Sequence, residues 1–336
     1  MGVEVEEEIY AYAAAEGRFA RVARVVRTAR RFRERLRTGN FDVIHINTSF
    51  DSRALLRDAF IVPRLASSRT KIFVKFHGSD GELLETRRPF WAALRRRLFA
   101  SVTAIGVLSS EERANFVRAG LPEKNVFRVA NVVEKRPCRS REEFLRQWGL
   151  PDDRPLLLFI GRFIATKGLL DVIRACRFLR DRGQDALLLC VGDGPARREA
   201  EAESARFGLS DRVRFFGYLP EEQTTGFYAH STALVFPTYH YEGFPLAIFY
   251  AAAAGLPILT TRIRAAAEYL SEPDNCLWVE PRRPVELAGR IEEVLRDARL
   301  RATMSANNQW LVEQFSAPRV ARDYLQIFDR LTGRTC

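Results

Sequence analysis

The stretch PLLLFIGRFIATKG, residues 155–168, decides how this sequence is read. A short apolar run breaks at Gly161-Arg162, and Lys167-Gly168 then opens an amphipathic segment over 168–181. A strand covered on both faces has no reason to alternate polar and apolar residues. The unbroken run therefore predicts a parallel strand followed by its covering helix. The same unit repeats outward. Strands are expected at 186–194 (ALLLCVGDG), 213–219 (VRFFGYL), 233–237 (ALVFP), 257–261 (PILTT) and 276–280 (CLWVE). Helices are expected at 197–207, 221–228, 245–254 and 284–295.

The first half follows the same rhythm. An arginine-rich helix over 16–37 sets Phe19, Val22, Val26, Ala29, Phe32 and Leu36 at helical spacing and stops at Gly39-Asn40. FDVIHINTS (41–49) reads as a buried strand, 54–65 as a helix, and KIFVKFHGSD as a strand ending at His77. A basic helix around RRPFWAALRRRLFA, a strand in VTAIGVLS, a helix over 110–119 and NVFRVANVV complete this half. EKRPCRS (134–140) is a polar joint, and 141–148 a linking helix. The expected class is α/β, with two doubly wound parallel-sheet halves joined by a hinge, and ligands beyond the carboxyl ends of the strands.

Bulk composition narrows the partners. At 336 residues the chain has room for two cores, and 47% hydrophobic with 28% charged residues is a globular balance. No run of eighteen apolar residues is free of charge, so no membrane-spanning helix is expected. The opening MGVEVEEEIY has no apolar core of a secretory signal, and Glu6 stands where myristoylation needs Ser or Thr. Cys138, Cys176, Cys190, Cys276 and Cys336 are scattered, which fits a reducing cytosol better than a disulfide framework. The net charge of +11 is almost all arginine; only Lys71, Lys75, Lys124, Lys135 and Lys167 are lysines. Planar guanidinium groups favour phosphate and carboxylate, so nucleic acid, anionic lipid or a nucleotide would each fit, although an arginine-biased codon usage gives the same count. No aromatic RNA-reading or helix-turn-helix signature is present, which sets nucleic acid aside.

Three corners carry chemistry. Gly161 lets a ligand approach the backbone, and Arg162 and Lys167 put two cations beside a helix N-terminus, a place for a diphosphate. Alone, the segment reads equally as a solvated loop. Gly192-Asp193-Gly194-Pro195 ends a strand either as a nucleotide-facing turn or as a plain tight turn. In YEGFPLAIFYAAAAGLP (241–257), Glu242 and Gly243 precede Phe244-Pro245, and Pro245 is expected as the first helical residue. Glu242 there can accept hydrogen bonds from sugar hydroxyls, or serve as an ordinary capping acid.

In order, GR-x4-KG, VGDGP, Phe215-Phe216-Gly217 and P-T-x3-EGFP-x9-GxP resemble the retaining glycosyltransferases of family 4, with the GT-B fold. The resemblance runs from about Phe41 to the end. It implies two Rossmann-like domains facing a cleft: residues 1–138 with a crossover helix over 316–332, and residues 139–315 as the nucleotide-sugar domain. Arg162 and Lys167 would bind the diphosphate, and Glu242 matches the first acid of an E-x7-E motif. Gly243, Phe244 and Pro245 would form the donor-sugar loop. Gly161, Gly192 and Gly194 would line the nucleotide, and Phe216 and Gly217 would lie near its base. His77 of HGSD resembles a histidine that faces the donor sugar, and Asn131 the asparagine of an interdomain segment. No metal or other cofactor is expected where Arg162 and Lys167 supply the charge.

The sequence departs from the family in two main places, and in a smaller one at Asn131-Val132, where the family commonly has glycine after the asparagine. Tyr250 stands where the motif's second acid accepts the ribose hydroxyls; a phenol lacks charge and bidentate geometry, and a core-filling tyrosine is the plain alternative. The opening strand, glycine-rich loop, helix and second strand of the family have no counterpart before FDVIHI, so a shortened first domain is expected. The reading is a hexosyltransferase using a UDP-, GDP- or ADP-sugar and a hydroxyl acceptor, lipid-linked or polysaccharide. A second reading is a relative without turnover that binds nucleotide, sugar or a partner. The basic helices 19–37 and 87–99 resemble membrane-surface helices, implying a cytoplasmic protein at the inner membrane face; a core-facing helix with a solvated outer side gives the same pattern.

Overall fold

Short polar residues set where several helices of this chain begin. The Asp51 carboxylate accepts from the N–H groups of Arg53 (2.9 Å) and Ala54 (3.0 Å) and starts one helix. Ser140 and Glu143 form a reciprocal capping box that starts another, which Gly149 closes in the left-handed conformation. A computed structural model describes residues 4–7, 18–66 and 69–334. Residues 1–3 and 8–17 of the acidic opening, the side chains of Phe19 and Val22, and Cys336 lie outside the described residues.

In chain order the first half contains α1 (Arg18–Thr38), β1 (Val43–Phe50), α2 (Ser52–Leu65), β2 (Lys71–Ser79), α3 (Gly81–Glu85), α4 (Pro89–Phe99), β3 (Ala104–Val107), α5 (Ser110–Arg118) and β4 (Val126–Arg128). The second half contains α6 (Arg141–Trp148), β5 (Leu156–Ile160), α7 (Leu169–Asp181), β6 (Leu187–Val191), α8 (Arg197–Arg206), β7 (Val213–Gly217), α9 (Glu221–His230) and β8 (Ala233–Phe236). It continues through α10 (Leu246–Ala253), β9 (Ile258–Thr260), α11 (Arg264–Tyr269), β10 (Cys276–Trp278), α12 (Pro284–Arg296), α13 (Ala298–Leu311) and α14 (Ala317–Thr332).

Two sheets result, both parallel: a four-stranded one in the order β1-β2-β3-β4 and a six-stranded one in the order β10-β9-β8-β5-β6-β7. The chain divides into two units. One holds the described residues up to Val107, Glu112–Arg128 and those from Tyr324 onward; the other holds Leu108–Glu111 and Val129–Asp323.

In the first unit, Phe50, Phe76 and Phe116 stack edge and face within 5.5 Å of one another under α2 and α5. On the opposite side of the sheet, Tyr324 and Phe328 of α14 pack on Phe73 and His45. Val25, Phe32 and Leu36 of α1 and Trp91, Leu94 and Phe99 of α4 pack against this core. The apolar stripes of the two basic helices are therefore spent inside the unit, leaving arginines and the 60%-exposed Phe90 outside.

In the second unit β5 is the hub. Its register sets Leu156–Ile160 against Leu187–Val191 of β6 on one side and β8 on the other, and every β5 residue is buried.

Differences from the expected elements have local causes. Pro245 is not the first helical residue: with φ −70° and ψ 95° it caps α10 from outside, and the helix begins at Leu246. β2 runs past His77 to Ser79, because Ser79 still registers with Phe50 of β1 across an irregularity. NVFRVANVV yields only Val126–Arg128, the span that finds partners on β3.

Candidate functional site

The candidate site is built at the carboxyl ends of β5 and β8. After Ile160 the chain passes through Gly161, Arg162 and a single 3-10 turn, Ala165–Lys167, into α7. Gly168 makes the turn possible. Its φ is +81°, and a Cβ there would sit 2.6 Å from the Pro237 carbonyl oxygen, so the β5 loop lies directly on the loop after β8. Tyr239 N–H donates to the Thr166 carbonyl (2.9 Å), and His240 Nδ1 meets Thr166 Oγ1 at 3.0 Å.

This seam brings two of the sequence-derived residues into contact. The Lys167 ammonium, 5% exposed, donates to Glu242 Oε1 and lies 5.0 Å from the Phe236 ring centre. Burial holds the Lys167 pKa below the usual ammonium range, with Glu242 pulling the other way. The second oxygen of Glu242, Oε2, is buried and has no hydrogen-bond partner. Arg162 is exposed on the same loop.

His240 reports how closely the charges gather. Its pKa is lowered first by burial and then by Lys167, with Arg162 and Arg264 adding to the effect and Glu242 opposing it. Arg162, Lys167 and Glu242 thus act on one imidazole, and His240 and Arg264 join them, neither anticipated from sequence. His240 lay inside the unassigned spacer of P-T-x3-E. Arg264, buried and held at φ 35°, opens α11, a helix with no clear sequence signal.

The glycines let neighbouring loops approach closely. Gly161 N–H donates to Val191 (3.0 Å), Gly192 N–H to Gly217 (2.8 Å) and Gly194 N–H to the Asp193 carboxylate (2.7 Å). A Cβ on Gly192, whose φ is +138°, would stand 1.9 Å from the Gly161 carbonyl oxygen. These residues let the β5, β6 and β7 loops close on each other. Phe216 packs between Trp148 (5.4 Å) and Phe227 (4.9 Å). At that strand end the exposed aromatic is Tyr218, 77% exposed.

Phe244 is buried, stacked on Phe249 at 3.7 Å, and Gly243 and Pro245 are buried beside it. Tyr250, one turn into α10, has its pKa pushed up to about 12, first by burial and then by the nearby Glu221 carboxylate. His77 belongs to the first unit, where burial and the nearby Lys75 lower its pKa to about 4, so its imidazole is neutral at pH 7. Among the described residues no three His, Cys, Asp or Glu side chains cluster as metal ligands, and no helix is long and apolar enough to cross a membrane.

Two parallel-sheet Rossmann-like units, with a buried Lys–Glu pair at the strand ends of the second, define a two-domain α/β protein of the GT-B class. The chain belongs to the group 1 glycosyltransferases of family 4: the family described as Glycosyl transferases group 1 matches residues 140–310, and the Glycosyl transferase 4-like domain matches residues 3–132. It is similar to 2-deoxystreptamine glucosyltransferase from Streptomyces kanamyceticus, 31% identical over 259 residues, covering 74% of this chain and 66% of the relative. The chain spans between about half and two thirds of the length of this and several other curated relatives. The fold matches sucrose-phosphate synthase from Thermosynechococcus elongatus, with a TM-score of 0.77 at 20% identity, covering 95% of this chain and 80% of that one. It also matches Anabaena HepE in complex with UDP-glucose, with a TM-score of 0.74 at 19% identity, covering 91% and 82%.

Proposed function

We propose that this protein binds a nucleotide-diphosphate sugar at the Lys167–Glu242 corner and transfers its hexose, with retention, to a hydroxyl acceptor. The observation that carries the reading is Glu242 Oε2, a buried acceptor atom with no partner. Leaving such an atom bare costs roughly 1–3 kcal/mol, so a donor from outside the chain has a place prepared for it. A sugar hydroxyl fits. Arg162 and Lys167 meet the diphosphate, and the first N–H groups of α10 add a positive dipole end.

In transfer, the bond from the anomeric carbon to the diphosphate oxygen breaks as the acceptor oxygen attacks from the same face. The acceptor's proton passes to the departing phosphate oxygen. The negative charge that grows on the diphosphate is met by two cations already in place, which costs no reorganisation at the moment of reaction. Arg162 and Lys167 supply charge that a divalent cation would otherwise bring, so turnover is expected to survive EDTA. The outward arginines of α1 and α4 with exposed Phe90 would draw the protein to an anionic surface carrying a lipid-linked acceptor.

The neighbour with bound UDP-glucose makes uridine donors the first to try. The test measures thermal stabilisation and nucleoside diphosphate release with UDP-, GDP- and ADP-glucose. One base should stabilise by about 2.7 kcal/mol at a hundredfold over its Kd, and that donor should be turned over. Stabilisation without release would favour the binding-only relative. No stabilisation and no release by any donor would remove the reading.

A further inference from the structure

The second unit also holds another polar cluster, assembled from three separate segments. Arg136 comes from the link before α6, Glu221 is the first residue of α9, and Tyr250 lies on α10. Arg136 Nη2 donates to Glu221 Oε1 at 2.8 Å, the Arg136 guanidinium lies 5.5 Å from the Tyr250 ring centre, and the nearby Glu221 carboxylate adds to burial in raising the Tyr250 pKa. The phenol, its pKa raised to about 12 chiefly by burial, stays protonated at neutral pH.

Two features separate this cluster from an ordinary surface ion pair. The first is position. Glu221 begins α9 just beyond the carboxyl end of β7, and Tyr250 lies one turn along the helix whose leading loop carries Glu242. The second is spare capacity. A carboxylate offers about four lone-pair positions, and Arg136 accounts for one. The Glu221 side chain is 47% exposed, so the remaining positions are open to a ligand. A nucleoside diphosphate seated at Lys167 carries a ribose next to its phosphates, and vicinal hydroxyls need one acceptor that can take both.

We infer that Glu221, oriented by Arg136 and Tyr250, accepts the two ribose hydroxyls of the nucleotide donor. This rests on the nucleotide-sugar reading of the Lys167–Glu242 corner. It makes Glu221 a binding residue, and Tyr250 and Arg136 positioning residues.

The test titrates the nucleoside diphosphate that binds best among UDP, GDP and ADP, together with its 2′,3′-dideoxy form, which lacks both hydroxyls, into the wild-type protein and the Glu221→Gln variant. The wild type should prefer the ribo form by tenfold or more, as expected for a hydrogen bond to a charged acceptor. Glu221→Gln should narrow that preference to about twofold while leaving the dideoxy affinity unchanged, a selectivity that general damage to the fold would not produce. Equal ribo and dideoxy affinity in the wild type, an unchanged preference in the variant, or a parallel loss for both ligands overturns the inference and leaves the nucleotide reading standing. Absence of binding by all three nucleotides overturns both.

Discussion

β2 and β5 hold equivalent interior places in their sheets, yet they treat polar residues in opposite ways. β5 reads LLLFI, is buried throughout, and meets its first charge at Arg162, beyond the strand. β2 reads KIFVKFHGS and carries Lys75 at its buried middle, 7% exposed, 5.5 Å from the Tyr324 ring centre. Burial lowers the Lys75 pKa from 10.5 to about 8. The second unit therefore separates its two tasks: the strand interior holds the sheet together, and the loops past the strand ends hold the charges. The first unit lets a charge into the sheet and carries the cost in stability.

The sharpest way to break this contrast is to disturb the loops of the second unit without adding charge. Gly192→Ala forces a Cβ toward the Gly161 carbonyl at a φ that L-residues avoid. It should cost at least about 3 kcal/mol, read by denaturant unfolding of the second unit through Trp148 and Trp278 fluorescence. A loss below about 1 kcal/mol would mean the β5 and β6 loops are not locked together.

Lys75→Met tests the other side. The folded-state pKa lies below the unfolded one, so the unfolded chain holds more protons between pH 8 and 10.5, and wild-type stability rises across that window. The variant should be more stable below pH 8 by up to about 3 kcal/mol, and its advantage should shrink to nothing by pH 10.5. A pH-independent difference would show that burial of the charge is not its source.

A surface pair calibrates both. Arg290 meets Glu272 and Glu293 at 3.0 Å on the outer side of α12. Arg290→Ala should change stability by less than about 1 kcal/mol, and less still at high salt.

The contrast also explains which parts of the molecule the sequence discloses. Segregated strands such as LLLFI and LLLCV are legible because an unbroken apolar run between glycine-rich corners has few other solutions. α11 and α13 gave no such signal. RAAAEY is short, and ARLRATMSANNQWL buries Asn308, whose amide bonds the carbonyls of Leu256 (3.1 Å) and Asn275 (3.0 Å), so its inward side does not read as apolar. In the site, Arg162, Lys167 and Glu242 could be named because they flank glycines in fixed order. His240, Arg264 and Glu221 could not, because each acts through a contact between loops distant in sequence. Tyr250 was legible as a departure, but the carboxylate beside it comes from another helix.

The most direct test of the central claim uses the Lys167→Met/Glu242→Gln double variant, which removes the pair without stranding a buried charge. The measurement is its affinity for the preferred nucleoside diphosphate and for the same nucleoside without phosphate, relative to the wild type. If Lys167 holds the diphosphate, affinity for the diphosphate should fall by about 10–150-fold while the weak affinity for the bare nucleoside stays unchanged. Undiminished diphosphate binding by the double variant would contradict the account.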